Sequence, residues 1–382
     1  MNNILEMIKN EKVEWKKLGD VKEVKTVSAK KKYKKQEYLD KGLYPIIDQG
    51  QDFIAGYTND GNFLFDENSY VVFGDHTEAI KYVDFPFAQG ADGIKVIKTC
   101  EEYINSKYLY HVLLNFYKIT GDYKRHFSIL KELEIPIPSL ETQERIVKIL
   151  DAMVGHFTQL EAELEARNKQ YEYYRDKLLS EEYLNKLTNE LLQLKISENL
   201  NFISLEDLVD VVVGGDVPKH SLSKTKNEVF NIPIYSNGTE EKSLYGYTEN
   251  ARVFDNSITV SARGTIGYVS FKKEPYYPIV RLICLIPKKD NFNLKFLYYF
   301  LQQYKFNYVE TGIPSLTSDM VKKIKVPLPN IEIQNTIVDF LDRFQAIIQD
   351  VDGLLPKEIE LRKKQYEYYR ERLLDFKRDD DE

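Results

Sequence analysis

The hexapeptide Gln-Tyr-Glu-Tyr-Tyr-Arg occurs twice, at 170–175 and at 365–370, an offset of 195 residues in a chain of 382. Asp176-Lys177 after the first copy becomes Glu371-Arg372 after the second, and both copies continue into Leu-Leu. One copy near the middle and one near the end divide the chain into two tandem halves. Each copy closes a heptad pattern. The first seam runs Ile146, Leu150, Met153, Phe157, Leu160, Leu164, Arg167, Tyr171, Tyr174, Leu178, in alternating steps of four and three. That spacing predicts a coiled-coil helix over Ser139–Ser180, ~60 Å long. The second seam runs Ile337, Leu341, Phe344, Ile348, Val351, Leu355 and resumes as Ile359, Arg362, Tyr366, Tyr369, Leu373, Phe376. Its step from Leu355 to Ile359 replaces a three by a four, a stutter. With Gly353 and Pro356 beside it, a break or kink is expected near 352–356. The two seams can bury each other in parallel or antiparallel. Antiparallel pairing is favoured because it keeps two globular halves apart on a rod.

The segments before the helices carry short β-like runs between Gly, Asp and Asn. In the first half these are Tyr44–Ile47, Tyr70–Phe73 and Ile94–Ile97; in the second they are Val253–Ala262, Tyr268–Phe271 and Arg281–Ile286. A helix is predicted in each half, around Ser106–Leu114 and Leu294–Gln303. Lys131–Pro138 and Lys322–Pro329 read as strands stopped by Pro-x-Pro, 191 residues apart. The expected fold is α+β: two globular domains of mixed α/β structure with twisted sheets, separated by two long helices in an antiparallel coiled coil, with a pseudo-two-fold repeat. The expected boundaries are 1–138 for the first globular domain, 139–190 for the first helical spacer, 191–329 for the second domain, 330–376 for the second spacer and 377–382 for a disordered acidic tail.

Composition narrows the function. The net charge of −7 argues against non-specific coating of nucleic acid, though not against a local basic face. Two cysteines, Cys100 and Cys284, make no disulfide scaffold or zinc cluster and are expected as buried small apolar residues. No apolar run approaches the ~20 residues needed to span a bilayer, and the N-terminus does not read as a signal peptide. A cytoplasmic protein without membrane contact is expected. The sequence holds no Gly-x-Gly, no phosphate-cradling Gly-x-x-x-x-Gly-Lys, no Gly-x-Ser-x-Gly, no His-Glu-x-x-His and no Pro-Pro. Its five histidines do not cluster with cysteine at metal-ligand spacing. Intrinsic catalysis is not expected.

The order globular–helix–globular–helix, the Pro-x-Pro-x-x-x-x-Gln start of each helix and the Gln-Tyr-Glu-Tyr-Tyr-Arg exit resemble the specificity subunit of type I restriction–modification systems, over nearly the whole chain. Ile47–Gln51, Phe73–Thr77, Phe87–Gly93 and Ser261–Gly267 are similar to target-recognition-domain sequences. The resemblance implies that each globular half reads one part of a bipartite DNA sequence. It also implies that the helices dock two methyltransferase subunits, which restriction subunits join. S-adenosylmethionine, ATP and Mg would then bind those partners, and this chain would carry no cofactor. Two readers related by a two-fold axis expect half-sites about one helical turn apart, ~34–36 Å. Unlike loops in the two halves imply an asymmetric target.

Candidate DNA contacts follow. Lys30, Lys31, Lys32, Lys34 and Lys35 form the densest basic run and suit phosphates, although a solvated loop fits the same residues. Gln49, Gln51, Asp75, His76 and Thr77 offer donors and acceptors to base edges; the alternative for Gly74–Thr77 is a turn with a self-bonded Asp. Arg263 before Gly264 is the favoured base reader, since Arg bonds guanine bidentately and Gly permits close approach. Ser261, Thr265 and Asn237 accompany it. Arg125 and His126 in the first half, and Ser315 and Thr317 in the second, lie in matching loops. Tyr173, Arg175, Tyr368 and Arg370 are candidate subunit-docking residues, and helix packing within the chain is the competing role for the tyrosines. Two other functions fit the pattern: a coiled-coil adaptor with protein-binding ends, and an orphan DNA-binding protein without methyltransferase partners.

Overall fold

The structure, a computed structural model, describes residues 2–90, 93–193, 200–289, 291–309 and 314–378. The chain forms two compact units, Met1–Ala162 with Leu355–Glu382, and Glu163–Leu354. The first begins with α1 (Asn2–Asn10), β1 (Glu14–Lys17), β2 (Val24–Val27), β3 (Tyr44–Ile47), β4 (Gly56–Thr58) and β5 (Leu64–Phe65). It continues with β6 (Tyr70–Gly74), β7 (Ile80–Val83), β8 (Phe87–Gln89), β9 (Ile94–Thr99), α2 (Ser106–Phe116), α3 (Phe127–Lys131) and β10 (Glu134–Ile137), then enters the long α4 (Leu140–Leu178). The remaining elements are α5 (Glu181–Gln193), β11 (Asn201–Ser204), α6 (Leu205–Leu208), β12 (Val209–Val213), β13 (Ile232–Tyr235), β14 (Leu244–Thr248) and β15 (Ser257–Val260). After them come β16 (Val269–Lys272), β17 (Tyr277–Pro278), β18 (Ile283–Pro287), α7 (Leu294–Gln303), α8 (Ser318–Lys322), β19 (Lys325–Leu328) and α9 (Ile331–Leu373).

Each unit has the same kind of scaffold. The first holds an antiparallel sheet in the order β2-β9-β6-β7, and the second the order β12-β18-β15-β16. β6, Tyr-Val-Val-Phe-Gly, is buried at every residue, and so is β15, Ser-Ile-Thr-Val. Continuous burial suits their β-branched and aromatic content, which packs on both faces. A second sheet is ordered β4-β3-β8-β5 in the first unit and β14-β13-β17 in the second. In both, the leading strand pairs parallel with a later one: Ile47 opposite Gln89, and Tyr235 opposite Pro278. The opening strand pairs with the Pro-x-Pro strand, placing Trp15 opposite Pro136 and Phe202 opposite Pro327. Two-stranded ribbons have only edge strands, where proline is tolerated.

The glutamine that follows each Pro-x-Pro explains that motif. Gln143 donates through Nε2 to Pro138 O (2.9 Å) and accepts from Asn105 N through Oε1 (2.9 Å). Gln334 does the same with Pro329 O (2.7 Å) and Asn293 N (2.8 Å). Asn105 and Asn293 are the N-caps of α2 and α7. One buried carboxamide therefore joins strand end, long helix and short helix, which is why a polar residue is kept there.

Within the first unit, Phe157 meets Tyr366, and Glu161 pairs with Lys363 at 2.6 Å. Within the second, Tyr171 stacks on Phe344 while Tyr174 reaches Phe340 and Phe344. The numbers rise on one helix as they fall on the other, so the segments pair antiparallel in each unit. The seam residues of α4 are buried or half-buried, as are those of α9 whose side chains are described.

Several expectations are corrected. α9 is unbroken from Ile331 to Leu373 and contains Pro356. Proline forfeits one backbone bond, and the helical pattern continues on both sides of it. The strand expected over Lys131–Pro138 is limited to Glu134–Ile137, with Lys131 ending α3; its counterpart is limited to Lys325–Leu328, with Lys322 ending α8. Val253 makes only an isolated bridge, to Tyr276, and Arg281 lies in a turn before β18. Cys284 is buried, but Cys100 is exposed in the turn after β9. Of the tail expected over 377–382, Lys377 accepts from Trp15 Nε1 through its carbonyl (3.2 Å) and Arg378 pairs with Glu134 (2.7 Å), while Asp379–Glu382 lie outside the described residues, as do Ala91, Asp92, Gly312 and Ile313.

Candidate nucleic-acid interface

In the first unit the structure gathers the loops after β3, after β6 and before α3. Gln49 Oε1 accepts from His76 N (3.3 Å), the Thr77 hydroxyl donates to Gln49 O, and Gln51 Nε2 donates to Thr77 O (3.2 Å). His76 Nδ1 lies 3.2 Å from Lys124 O, and its ring stacks on Tyr123 at 5.2 Å. Tyr123 is 89% exposed, and Lys124 and Arg125 beside it are exposed too. The surface therefore combines amide, imidazole, phenol and two cations.

Beneath it lies a buried polar floor. Asp75 Oδ1 accepts from His126 N (3.0 Å) and Phe127 N (2.9 Å), satisfying amides at the start of α3. Asp75 and His126 are both buried. These two predicted contacts therefore belong to the floor and not to the reading surface. His126 Nε2 lies 2.8 Å from Asp122 O; its Nδ1 is 3.0 Å from Glu78 Oε1 but off a hydrogen-bond axis.

Glu78, which the sequence reading passed over, is 2% exposed with φ +58°. Its carboxylate accepts from Tyr117 Oη (2.8 Å), Thr120 N (3.0 Å), Thr120 Oγ1 (3.2 Å) and Gly121 N (2.8 Å). Burial pushes its pKa up, but the Thr120 and Gly121 amides, the Tyr117 hydroxyl and His126 outweigh this and bring it down to about 2. Glu78 thus fixes the loop that carries Tyr123–Arg125. Lys81, also buried, donates to Asp48 O (2.9 Å) and to Asp52 O, and fixes the Gln49–Gln51 loop. A lone lysine inside Ile80–Val83 was the available signal for Lys81; nothing local marked Glu78.

The lysine run is divided. Lys31 is spoken for by Asp60 (3.3 Å), Glu37 (3.8 Å) and the face of Tyr33 (4.1 Å). Lys30, Lys32, Lys34 and Lys35 are exposed. The segment is laid along β8, with Tyr33 N donating to Gln89 O (3.0 Å).

In the second unit β15 and β16 form a hairpin whose loop exposes Arg263, Gly264 and Thr265. Gly264 (φ +68°) and Gly267 (φ +82°) take left-handed conformations that turn the chain there. Ser261, a predicted contact, is buried, and its Oγ accepts from Gly238 N (3.4 Å). Asn237 is also committed inward: Nδ2 donates to Val280 O (2.6 Å) and Oδ1 accepts from Ala262 N (2.7 Å). Thr317 Oγ1 caps α8 by accepting from Met320 N (3.3 Å). Ser315 is half-buried and pairs through its backbone with Val309. Arg263 and Thr265 remain the outward-facing pair.

On the long helices Tyr173 (59% exposed) and Tyr368 (50%) face outward. Arg175 instead pairs with Asp176 (2.8 Å), and Arg370 lies over Tyr366 and donates to Asn115 Oδ1 (3.4 Å). Among the described residues no helix is long and apolar enough to cross a membrane, and no His/Cys/Asp/Glu group could hold a metal.

The type I restriction modification DNA specificity domain matches residues 10–170 and again 197–361. The chain is 30% identical over 413 residues to the Escherichia coli type I restriction enzyme EcoR124I/EcoR124II specificity subunit, covering 98% of this chain and 97% of that protein. Its fold is similar to a crystal structure of the type I restriction–modification S subunit from M. genitalium, with a TM-score of 0.56 at 18% identity, over 97% of this chain and 98% of the other. A structure described under complex assembly and conformational transition of the type I R-M system gives 0.53 at 15% identity, over 96% and 98%. Two copies of one specificity domain, each ending in a long helix, make this chain a member of the type I restriction–modification specificity subunits.

Proposed function

We propose that each unit reads one part of a bipartite, asymmetric double-stranded DNA sequence through the loops at its strand ends. Gln51, His76, Thr77, Tyr123 and Arg125 serve the first unit, and Arg263 and Thr265 the second. Lys30, Lys32, Lys34 and Lys35 add phosphate contacts that position the duplex. The observation that carries this reading is that equivalent scaffold positions present different chemistry. Gln49 and Asn237 each stand two residues beyond the strand that pairs in parallel, and each accepts one backbone N–H from the neighbouring loop. The side chains those loops present are unlike: His76 stacked on the exposed Tyr123 in one unit, the exposed Arg263 and Thr265 in the other. A repeated frame with unlike loops suits two readers of different half-sites. Major-groove edges distinguish all four base pairs, and guanidinium is suited to guanine.

The chain itself is non-catalytic in this reading. It docks two methyltransferase subunits, for which Tyr173 and Tyr368 offer exposed aromatic contact at matching places on the long helices, and restriction subunits join that core. The methyltransferase subunits flip the target base from the duplex and hold S-adenosylmethionine; ATP and Mg belong to the restriction subunits. Replacing Arg263 by Ala tests the assignment. Methylome sequencing of cells carrying Arg263→Ala is expected to show relaxed or lost recognition of the second half-site with the first unchanged. An unaltered motif would refute the role of Arg263.

A further inference from the structure

We infer that Arg281 is a second base-reading arginine of the second unit, set beside Arg263 by the side chain of Asn237; this rests on reading that unit as a DNA-recognition module. Asn237 bonds to Ala262 N with one end of its carboxamide and to Val280 O with the other, at 2.7 and 2.6 Å. It thus ties the residue before Arg263 to the residue before Arg281. Both arginines are exposed.

The backbone at Arg281 is unusual. Val280 has φ +53° and Arg281 φ +60°. Two consecutive L-residues in the left-handed region are unfavourable, and a β-branched valine there is an outlier. The turn is held by Val280 N donating to Gly215 O (2.8 Å) and Arg281 N donating to Gly214 O (3.0 Å). Gly214 permits this approach, since a Cβ there would come within 2.8 Å of Ile279 O. Core packing does not explain the conformation, because Val280 is 45% exposed and Arg281 is exposed as well. The effect of the turn is to present two side chains outward, and strain of this kind clusters at ligand-contacting sites.

Charge points the same way. Arg252 stands close by, its Nη1 3.1 Å from where a Cβ on Gly215 would be. Neither Arg252, Arg263 nor Arg281 forms a salt bridge among the described residues, although other surface arginines of the chain do. Arg252 and the turn that carries Arg281 both lie against Gly215, whose carbonyl accepts from Val280 N (2.8 Å), and positive charge without a carboxylate partner there favours a polyanion. The two arginines tied to Asn237 can each take a guanine edge, or one a guanine and the other a phosphate. Asn237 is therefore a positioning residue. The first unit has a related device: Gln49 holds His76 N and packs over Gly93 (φ +107°), where a Cβ would come within 2.5 Å of Gln49 Oε1.

The test uses the full chain assembled with its methyltransferase subunits, reading the methylated motif and competition binding to duplex DNA. Arg281→Ala is expected to make at least one position of the second half-site degenerate and to lower affinity for the original site about ten-fold or more, with the first half-site unchanged. Arg281→Lys keeps charge but loses the fork, so it should retain non-specific binding and lose the base preference; it serves if the alanine variant folds poorly. Asn237→Ala should blur the positions read by both arginines. If Arg263→Ala relaxes the motif and Arg281→Ala and Arg281→Lys leave motif and affinity unchanged, the inference is overturned while the DNA-reading assignment stands. If the assembled wild-type complex discriminates no sequence, the assignment itself fails, and the inference with it.

Discussion

At the scale of single residues the site was half legible. Arg263 followed by glycine signals an exposed guanidinium in a turn, and the structure presents it so. Asn237, Ser261, Asp75 and His126 carry the same polar chemistry as a reader but are spent internally, because a loop cluster needs its own amides and carbonyls satisfied. Sequence cannot separate the two uses when both require a small polar side chain in a loop. Glu78 is the sharpest case. Its carboxylate pKa, brought down to about 2 from an ordinary 4.5, means that below pH 4.5 the unfolded chain takes up a proton that the folded chain refuses. The stability contributed by Glu78 is thus complete above about pH 4.5 and drains away as pH falls toward 2. Glu78→Gln should cost about 1–3 kcal/mol at neutral pH and flatten the acid limb of unfolding between those values. Circular dichroism during urea unfolding at successive pH values checks this; parallel curves for wild type and variant would remove the carboxylate from that role.

At the scale of elements, the heptad seam was the most legible feature, because period and burial are two views of one geometry. Its steps of four and three identify the half-buried face of α4. The stutter and Pro356 suggested an interruption that backbone pairing along α9 overrides. The repeated tyrosines show where pattern stops short of partners. Tyr366 Oη lies 3.0 Å from the buried His111 Nδ1. Burial pushes the His111 imidazole down against the pull of Asp151. Its counterpart Tyr171 has a buried hydroxyl with no hydrogen-bond partner among the described residues. Identical motif residues therefore have opposite energetics. Tyr366→Phe removes a bond and leaves a buried imidazole nitrogen unpaired, so it should destabilise by about 1 kcal/mol or more. Tyr171→Phe removes an unsatisfied group and should be neutral or stabilising by about 1 kcal/mol. Chemical denaturation of the two variants checks the contrast, and equal losses in both would contradict it.

At the scale of the whole molecule, charge and function pull in different directions. A chain of net charge −7 is read here as a partner of a polyanion. The two are compatible if base discrimination is local while phosphate affinity is shared with other subunits. The exposed cations of the reading surfaces are few: Arg125 and Lys124 in one unit, Arg252, Arg263 and Arg281 in the other, and Lys30, Lys32, Lys34 and Lys35 at the side. Each phosphate neutralised on B-DNA adds about 0.9 to the slope of log K against log salt. The isolated chain should therefore bind duplex DNA weakly and with a shallow slope, since its overall charge repels the backbone beyond the reading loops. Assembly with methyltransferase subunits should steepen the slope by several units and raise affinity together. Fluorescence anisotropy with a labelled duplex, titrated from low to moderate salt with and without those subunits, measures both quantities. A steep slope for the chain alone would mean that its own cations carry the phosphate contacts. An unchanged slope on assembly would mean that the partners add no further ones, and the division of labour argued from charge would fail.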